Sequence, residues 1–217
     1  MSRNDLQGKV VLIAGGAKNL GGLLSRNFAQ KGAKVAIHYN SDSTKADAEK
    51  TLTDITNAGG EAFIFQADLT KVENIAKLFE AAKQKFGGID IAINTVGMVL
   101  KKPFLETTEA DYDTMFDINS KVAYFFIQEA GKHLNNNGKI NTIVTSLLAA
   151  YTGLYSTYAG AKAPVEHFGF KRIWRKRNFS FSSSSWTNGY AIFLRTGSSG
   201  SSCLSQVSFS FRWINRY

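Results

Sequence analysis

The sequence predicts an α/β fold in which a parallel sheet is covered by helices on both faces. Three observations carry that expectation. Short apolar runs alternate with longer stretches whose apolar residues recur every three to four positions. A glycine-rich turn, Gly15 to Gly22, joins the first run to the first helical stretch. The alternation continues, without an internal repeat, to about residue 168. Strands spaced this far apart pair in parallel, because a parallel neighbour needs a crossover and a helix supplies it. With 217 residues, 44% hydrophobic and 20% charged, the chain can build one sizeable core, and pervasive disorder is excluded.

Each element follows from its own pattern. Val10 to Ala14 is an apolar run between polar flanks, hence a strand. Leu20, Leu23, Leu24 and Phe28 then recur at helical spacing, and Gly32 stops the helix. Lys34 to Tyr39 is the second strand, Thr44 to Asn57 is helical, and Gly59–Gly60 ends it. Ala62 to Ala67 is a strand closing on Asp68. Val72 to Phe86 places Val72, Ile75, Ala76, Leu78 and Phe79 on one helical side. Ile89 to Thr95 and Lys139 to Thr145 are strands flanking one long helix, Ala110 to Leu134. A further helix begins near Tyr155.

The first turn has the composition of a phosphate site. Glycine lets the backbone approach a ligand, and the helix N-terminus behind it offers unpaired N–H groups and a positive dipole end. The run Gly15-Gly16-Ala17-Lys18-Asn19-Leu20-Gly21 is not G-x-G-x-x-G, and it lacks the G-K-[ST] of a nucleotide-binding P-loop. Its place after the first strand suits a dinucleotide; a turn that merely permits tight packing is the alternative.

Charge divides the chain. Residues 1 to 168 hold 18 Lys and Arg against 17 Asp and Glu, whereas residues 169 to 217 hold 8 Lys and Arg and no acid. Of the overall net charge of +9, +8 therefore belongs to the tail, which also has 12 Ser and all three Trp. Nucleic acid is not the expected partner of the folded part. One cysteine, Cys203, excludes an internal disulfide framework, and His38, His133 and His167 lack metal-ligand spacing, so no metal is expected. No apolar stretch approaches the ~20 residues of a membrane helix, and no secretory leader is evident. A reducing, cytoplasmic setting fits.

Farther along, Tyr158-Ala159-Gly160-Ala161-Lys162 is a Y-x-x-x-K at the start of a helix, and Ser146 lies twelve residues earlier at a strand end. Asn94-Thr95-Val96-Gly97 follows the fourth strand and Asn119 sits in the long helix. Together with the glycine-rich turn, and in this order, these residues resemble the classical short-chain dehydrogenase/reductase family over about residues 5 to 168. The resemblance implies a Rossmann-type doubly wound parallel sheet, an NADP(H)-binding domain over residues 1–168, and hydride transfer between nicotinamide and a carbonyl or alcohol. Gly15 and Gly21 match the family's T-G-x-x-x-G-x-G; Ala14 stands for its Thr and Asn19 for its middle Gly, an exchange that Asn's tolerance of left-handed backbone permits. Leu20 belongs to the same turn. Asp68 matches the acid beside the adenine, and Asn94 and Gly97 match the ends of N-N-A-G.

The resemblance assigns catalysis to Asn119, Ser146, Tyr158 and Lys162. A phenol titrates at about pH 10, and an ammonium one helical turn away lowers that value. Lys162 is placed to do so and, in the family, also holds the nicotinamide ribose. Ser146 donates to the substrate oxygen, and Asn119 holds a water that serves the proton relay. The ordinary alternatives are a strand-end cap, a half-buried aromatic and a satisfied core amide. At the end of the second strand, His38-Tyr39-Asn40-Ser41 offers no acid to a ribose 2′-hydroxyl, while Lys18 can meet a 2′-phosphate and Asn40 and Ser41 can donate to it. NADP(H) is therefore expected over NAD(H). Leu147, Leu148, Tyr151, Leu154 and Tyr155 are candidates for an apolar substrate pocket.

The tail does not continue the pattern. Residues 169 to 217 contain no Pro and no strand–helix rhythm, so the sheet is expected to miss its usual C-terminal strands and to leave its fifth strand as an edge. Lys171 to Arg177 is a basic cluster with an aromatic, in the manner of a localisation or RNA-binding segment. Another reading comes from the genetic code. Back-translated and read one nucleotide later, Phe170 to Ile192 permits SKEFGERGISVSAVAPGPMDTPF, which resembles the family's own next helix end, strand and P-G turn. Trp186 then yields Gly, Thr187 yields Pro and Asn188 yields Met. On this reading 169–217 is out of frame and not a domain. The homo-oligomer that the resemblance implies is in doubt for this chain, and a truncated, inactive relative is the alternative function.

Overall fold

The computed structural model describes residues 5–148, 152–168, 180–187 and 190–194. The strands are β1 (Val10–Ala14), β2 (Lys34–Tyr39), β3 (Glu61–Gln66), β4 (Ile91–Asn94), β5 (Lys139–Val144), β6 (Ser180–Thr187) and β7 (Tyr190–Leu194). The helices are α1 (Asn19–Gln30), α2 (Lys45–Asn57), α3 (Val72–Phe86), α4 (Glu109–Phe116), α5 (Val122–His133), α6 (Ser156–Lys162) and α7 (Val165–Phe168). The strand order is β3-β2-β1-β4-β5-β6-β7, parallel from β3 through β6, with β7 antiparallel at the end. This is the Rossmann-type doubly wound arrangement, reversing direction between β1 and β4.

The two faces of the sheet sort the apolar residues by the two-residue period of a strand. Leu12 and Ala36 lie in register and pack on Ile75, Phe79, Phe126 and Ile127 of α3 and α5. Val11, Ile13, Val35 and Ile37 face the other way, onto Ile55 of α2 and Leu24 and Phe28 of α1. Phe79 and Phe126 are fully buried, with ring centroids 5.1 Å apart. Each such side chain contributes roughly 1.5–3 kcal/mol by leaving water. The stop signals at Gly32 and Gly59 act as expected, both with positive φ, and Gly87, not singled out in the sequence, caps α3 in the left-handed conformation.

Two expectations are corrected. The single helix expected over 110–134 is two helices joined by a π-helical turn, Asp117–Lys121. Such a turn adds a residue to the helical path and often marks a functional position; Asn119 lies in it. The fifth strand is not left as an edge. β6 pairs parallel with it from Lys139↔Ser180 to Val144↔Ser185, and β7 closes on β6. The physical reason is that an open edge presents unpaired N–H and C=O groups that any extended segment can satisfy through its backbone. Apolar periodicity, on which the expectation rested, does not report this. Residues 171–177 lie outside the described residues.

Candidate active site

The C-terminal ends of the parallel strands open onto a cleft of about 580 Å³. Gly15, Lys18, Asn19, Leu20, Gly21, Asn40, Asp68 and Gly97, all expected at a cofactor site, line it. Backbone geometry explains why glycines stand there. Gly15 has φ +74°, and a Cβ on Gly21 would lie 2.0 Å from the Gly15 carbonyl oxygen. Only glycine allows that approach. Asn19 takes φ 50°, the left-handed backbone that Asn tolerates. No side chain caps the first turn of α1, so its N–H groups face the cleft side with the positive end of the helix dipole. A cradle of this kind fits a pyrophosphate.

The rim around Asp68 is polar. Asp68 accepts from the Thr70 hydroxyl at 2.7 Å and from its N–H at 3.0 Å, and the hydroxyl contact leads in holding the carboxyl below its usual range. Lys18 pairs with Asp47 at 3.4 Å, both half-exposed. Ser41 does not line the cleft. It caps the short turn Asp42–Thr44 and contacts Ser43 at 3.0 Å; Thr44 stands in the cleft wall instead. Asn94 is buried rather than lining, and its Oδ1 accepts from Val96 N–H at 3.0 Å, shaping the turn after β4.

Three residues missed by sequence reasoning hold the turn or the catalytic end. His38 is 2% exposed; its Nδ1 accepts from Gly15 N–H at 3.0 Å and its Nε2 donates to the Ala67 carbonyl at 2.8 Å. Burial pushes its pKa down to about 4, so the ring is neutral at pH 7. Thr95 Oγ1 donates to the carbonyls of Ala14 at 2.8 Å and Gly15 at 3.2 Å. Thr145, beside Ser146, bonds the Tyr158 phenol. None of these carries a motif signal, since each acts through contacts far apart in sequence or through an unremarkable hydroxyl.

The catalytic candidates converge in part. Asn119 is fully buried; its Oδ1 accepts from Met98 N–H at 3.1 Å, and its Nδ2 donates to the carbonyls of Met98 at 2.9 Å and Met115 at 3.0 Å. Lys162 is 3% exposed and donates to the carbonyls of Ile143 at 3.1 Å and Val96 at 3.4 Å. Gly97 lies between them: a Cβ there would be 2.9 Å from both Asn119 Oδ1 and Lys162 Nζ. Ser120 donates to the Ala161 carbonyl, tying the π turn to the helix that bears Tyr158 and Lys162. Ser146 is half-buried in the first turn after β5.

The electrostatics differ from expectation in one respect. Burial raises the Tyr158 phenol above its usual value, opposed by the Thr145 hydrogen bond, and Lys162 is not among the groups acting on it. Burial pulls Lys162 down to about 8. Both shifts have one cause, the loss of water around the charged form. The candidates for an apolar pocket stand in different surroundings. Leu148 packs with Ala123, Val144 and Val165 in the core. Leu154 is exposed and gives its carbonyl to Lys102 N–H at 2.9 Å. Tyr155 and Leu147 do not line the cleft, and Tyr151 lies outside the described residues. Among the described residues no cluster of three metal-ligating side chains occurs, and no helix is long and apolar enough to cross a membrane.

A doubly wound parallel sheet with a glycine cradle at its switch point defines a Rossmann-type fold. The family model described as enoyl-(acyl carrier protein) reductase matches residues 15–169, and the chain belongs to the short-chain dehydrogenase/reductase family. It is 37% identical over 166 residues to the hydroxynaphthalene reductase-like protein Arp2 of Metarhizium majus, covering 76% of this chain and 61% of that protein. The chain thus spans about three fifths of the length of the curated relatives it matches. A dehydrogenase structure from Burkholderia cenocepacia with bound NADP is 56% identical, with a TM-score of 0.79, over 84% of this chain and 70% of that one. A short-chain dehydrogenase from Oenococcus oeni is 52% identical, with a TM-score of 0.63, over 76% of this chain and 68% of that one.

Proposed function

We propose that the chain is an NADP(H)-dependent oxidoreductase acting between a carbonyl and an alcohol. The observation that carries this reading is the glycine cradle, where a Cβ on Gly21 would meet backbone at 2.0 Å. The cofactor, when bound, supplies hydride chemistry. The residues do the rest. Tyr158, its phenol held protonated by burial, donates the proton to the carbonyl oxygen. Ser146 orients that oxygen. Lys162 holds a ribose hydroxyl, and Asn119 fixes the turn at Met98 and the proton path behind it. Asn94 supports the same turn. A small-molecule substrate, a cytoplasmic setting and a family-type homo-oligomer belong to this reading.

Lys18, Asn40 and Thr44 on one stretch of the cleft wall, with no acid at the end of β2, support NADP(H) over NAD(H). Lys18→Ala is expected to weaken NADPH binding about tenfold, roughly 1.4 kcal/mol, and to leave NADH binding nearly unchanged. Calorimetric titration of both cofactors checks it; equal losses would remove the 2′-phosphate role. Gly21→Ala is expected to abolish binding of both, because its methyl must displace the Gly15 carbonyl.

A second reading concerns residues 169–217. The family match ends at residue 169; no acid follows Glu166, and a serine-rich run starts at Ser180. We infer that the tail is the family's own continuation read out of frame. Sequencing of genomic DNA and transcript across codons 160 to 195 tests it. A transcript that lacks the shift makes the tail an artefact; a shift that is real and transcribed makes the chain a truncated relative; absence of any family-like continuation in the neighbouring frame would remove the reading. A tail that binds nucleic acid predicts salt-dependent RNA binding that disappears on deletion of 169–217.

A further inference from the structure

We propose that His38 is a positioning residue for the dinucleotide: its neutral imidazole clamps the phosphate turn to the end of β3. The inference rests on the dinucleotide reading above. His38 sits on β2, yet its two nitrogens reach two other segments. Nδ1 takes Gly15 N–H at 3.0 Å, and Nε2 gives its proton to the Ala67 carbonyl at 2.8 Å. Gly15 opens the cradle, and Ala67 immediately precedes Asp68 on the cleft rim. One buried ring therefore sets the separation between the pyrophosphate end and the adenine end of the cleft.

The arrangement is over-determined at Gly15. His38 holds its N–H, Thr95 holds its carbonyl at 3.2 Å, and Gly16 N–H donates to the His38 carbonyl at 2.9 Å. With φ +74° at Gly15, the peptide before it has little alternative once these bonds form. The clamp requires one tautomer, with the proton on Nε2. A second proton would fall on Nδ1, turn the acceptor into a donor and oppose the Gly15 N–H directly. Burial disfavours that proton; the Ala67 carbonyl and the nearby Asp68 carboxylate favour it. β1 carries no titratable side chain, and Glu61 of β3 is drawn off to Lys34 at 2.8 Å at the far end of the strand. Asp68 is thus the charged group that faces the ring.

The test uses the full chain, NADP⁺ as the ligand and three proteins: wild type, His38→Asn and His38→Phe. At pH 7.5, His38→Phe is expected to weaken NADP⁺ at least tenfold in calorimetry, with circular dichroism unchanged, and His38→Asn to recover part of the loss. Between pH 7.5 and 5 the wild-type affinity runs parallel to that of His38→Asn, because the buried ring stays neutral down to about pH 4. Nitrogen NMR of the wild type reads the Nε2–H tautomer and slow exchange of the Gly15 amide. Equal NADP⁺ affinity of the wild type and the folded variants would overturn the clamp. So would an Nδ1–H tautomer, a reading that stands even where His38→Phe fails to fold. If the wild type shows the tautomer and slow amide but binds neither NADP⁺ nor NAD⁺, the dinucleotide reading fails and the clamp is only structural.

Discussion

Tyr158→Phe is expected to lower kcat/KM for carbonyl reduction by about 10²–10⁴, the range for loss of a positioned general acid. Cofactor affinity should barely move, because the ring remains and the phosphate cradle is distant from it. The pH dependence separates this role from a structural one. Burial raises the phenol above its usual value, so Tyr158 stays protonated through the neutral range. Lys162 is pulled down to about 8 and is charged below that pH. Reduction should therefore be flat from pH 6 to 7.5 and decline as pH rises through about 8, as the buried ammonium beside the turn at Val96 discharges. Steady-state rates across that range provide the check. A profile that rises with pH, or a Tyr158→Phe variant with unchanged kcat/KM, would remove the phenol from the reaction.

The same two residues show where sequence reasoning reaches and where it stops. Spacing alone puts Tyr158 and Lys162 one turn apart, and the structure keeps that. It does not reveal that Lys162 Nζ is bound to the Ile143 and Val96 carbonyls, because those partners lie 19 and 66 residues away. Residues that repeat a pattern were legible: the β1–β2–β4 core alternates by face, and α3 appears with the bounds its apolar periodicity gives. His38 was not, since a lone histidine in an apolar strand looks like packing until its two nitrogens are traced. For Ser41 the sequence does not show the turn it caps, because a serine after a strand is equally good at capping a turn or donating to a ligand. β6 was invisible because backbone pairing to an open strand needs no apolar pattern.

β6 leads to the second large effect. A central strand of a parallel sheet is covered on both faces, and such strands are ordinarily runs of Val, Ile and Leu. Here Ser182, Ser183, Ser184 and Ser185 pair with Asn141, Thr142, Ile143 and Val144. Serine completes the hydrogen-bond ladder but brings almost no apolar area. The shifted reading of the same codons places Val and Ala along positions 180–184 of this strand and a Pro-Gly at its C-terminal end, positions 185–186. Two buried Val side chains contribute about 3–6 kcal/mol that serine does not. For a domain of this size, each kcal/mol moves Tm by roughly 2–4 °C. A chain re-phased after codon 168 should thus melt on the order of 10 °C above the 217-residue form and by a sharper transition. Differential scanning calorimetry of the two proteins decides it. If the 217-residue chain melts as high and as sharply as the re-phased one, the serine strand is a sound sixth strand and the out-of-frame reading loses its physical support. If it melts low and regains stability on re-phasing, the loss lies in apolar burial beside β5, because the β5 ladder is paired in this chain already.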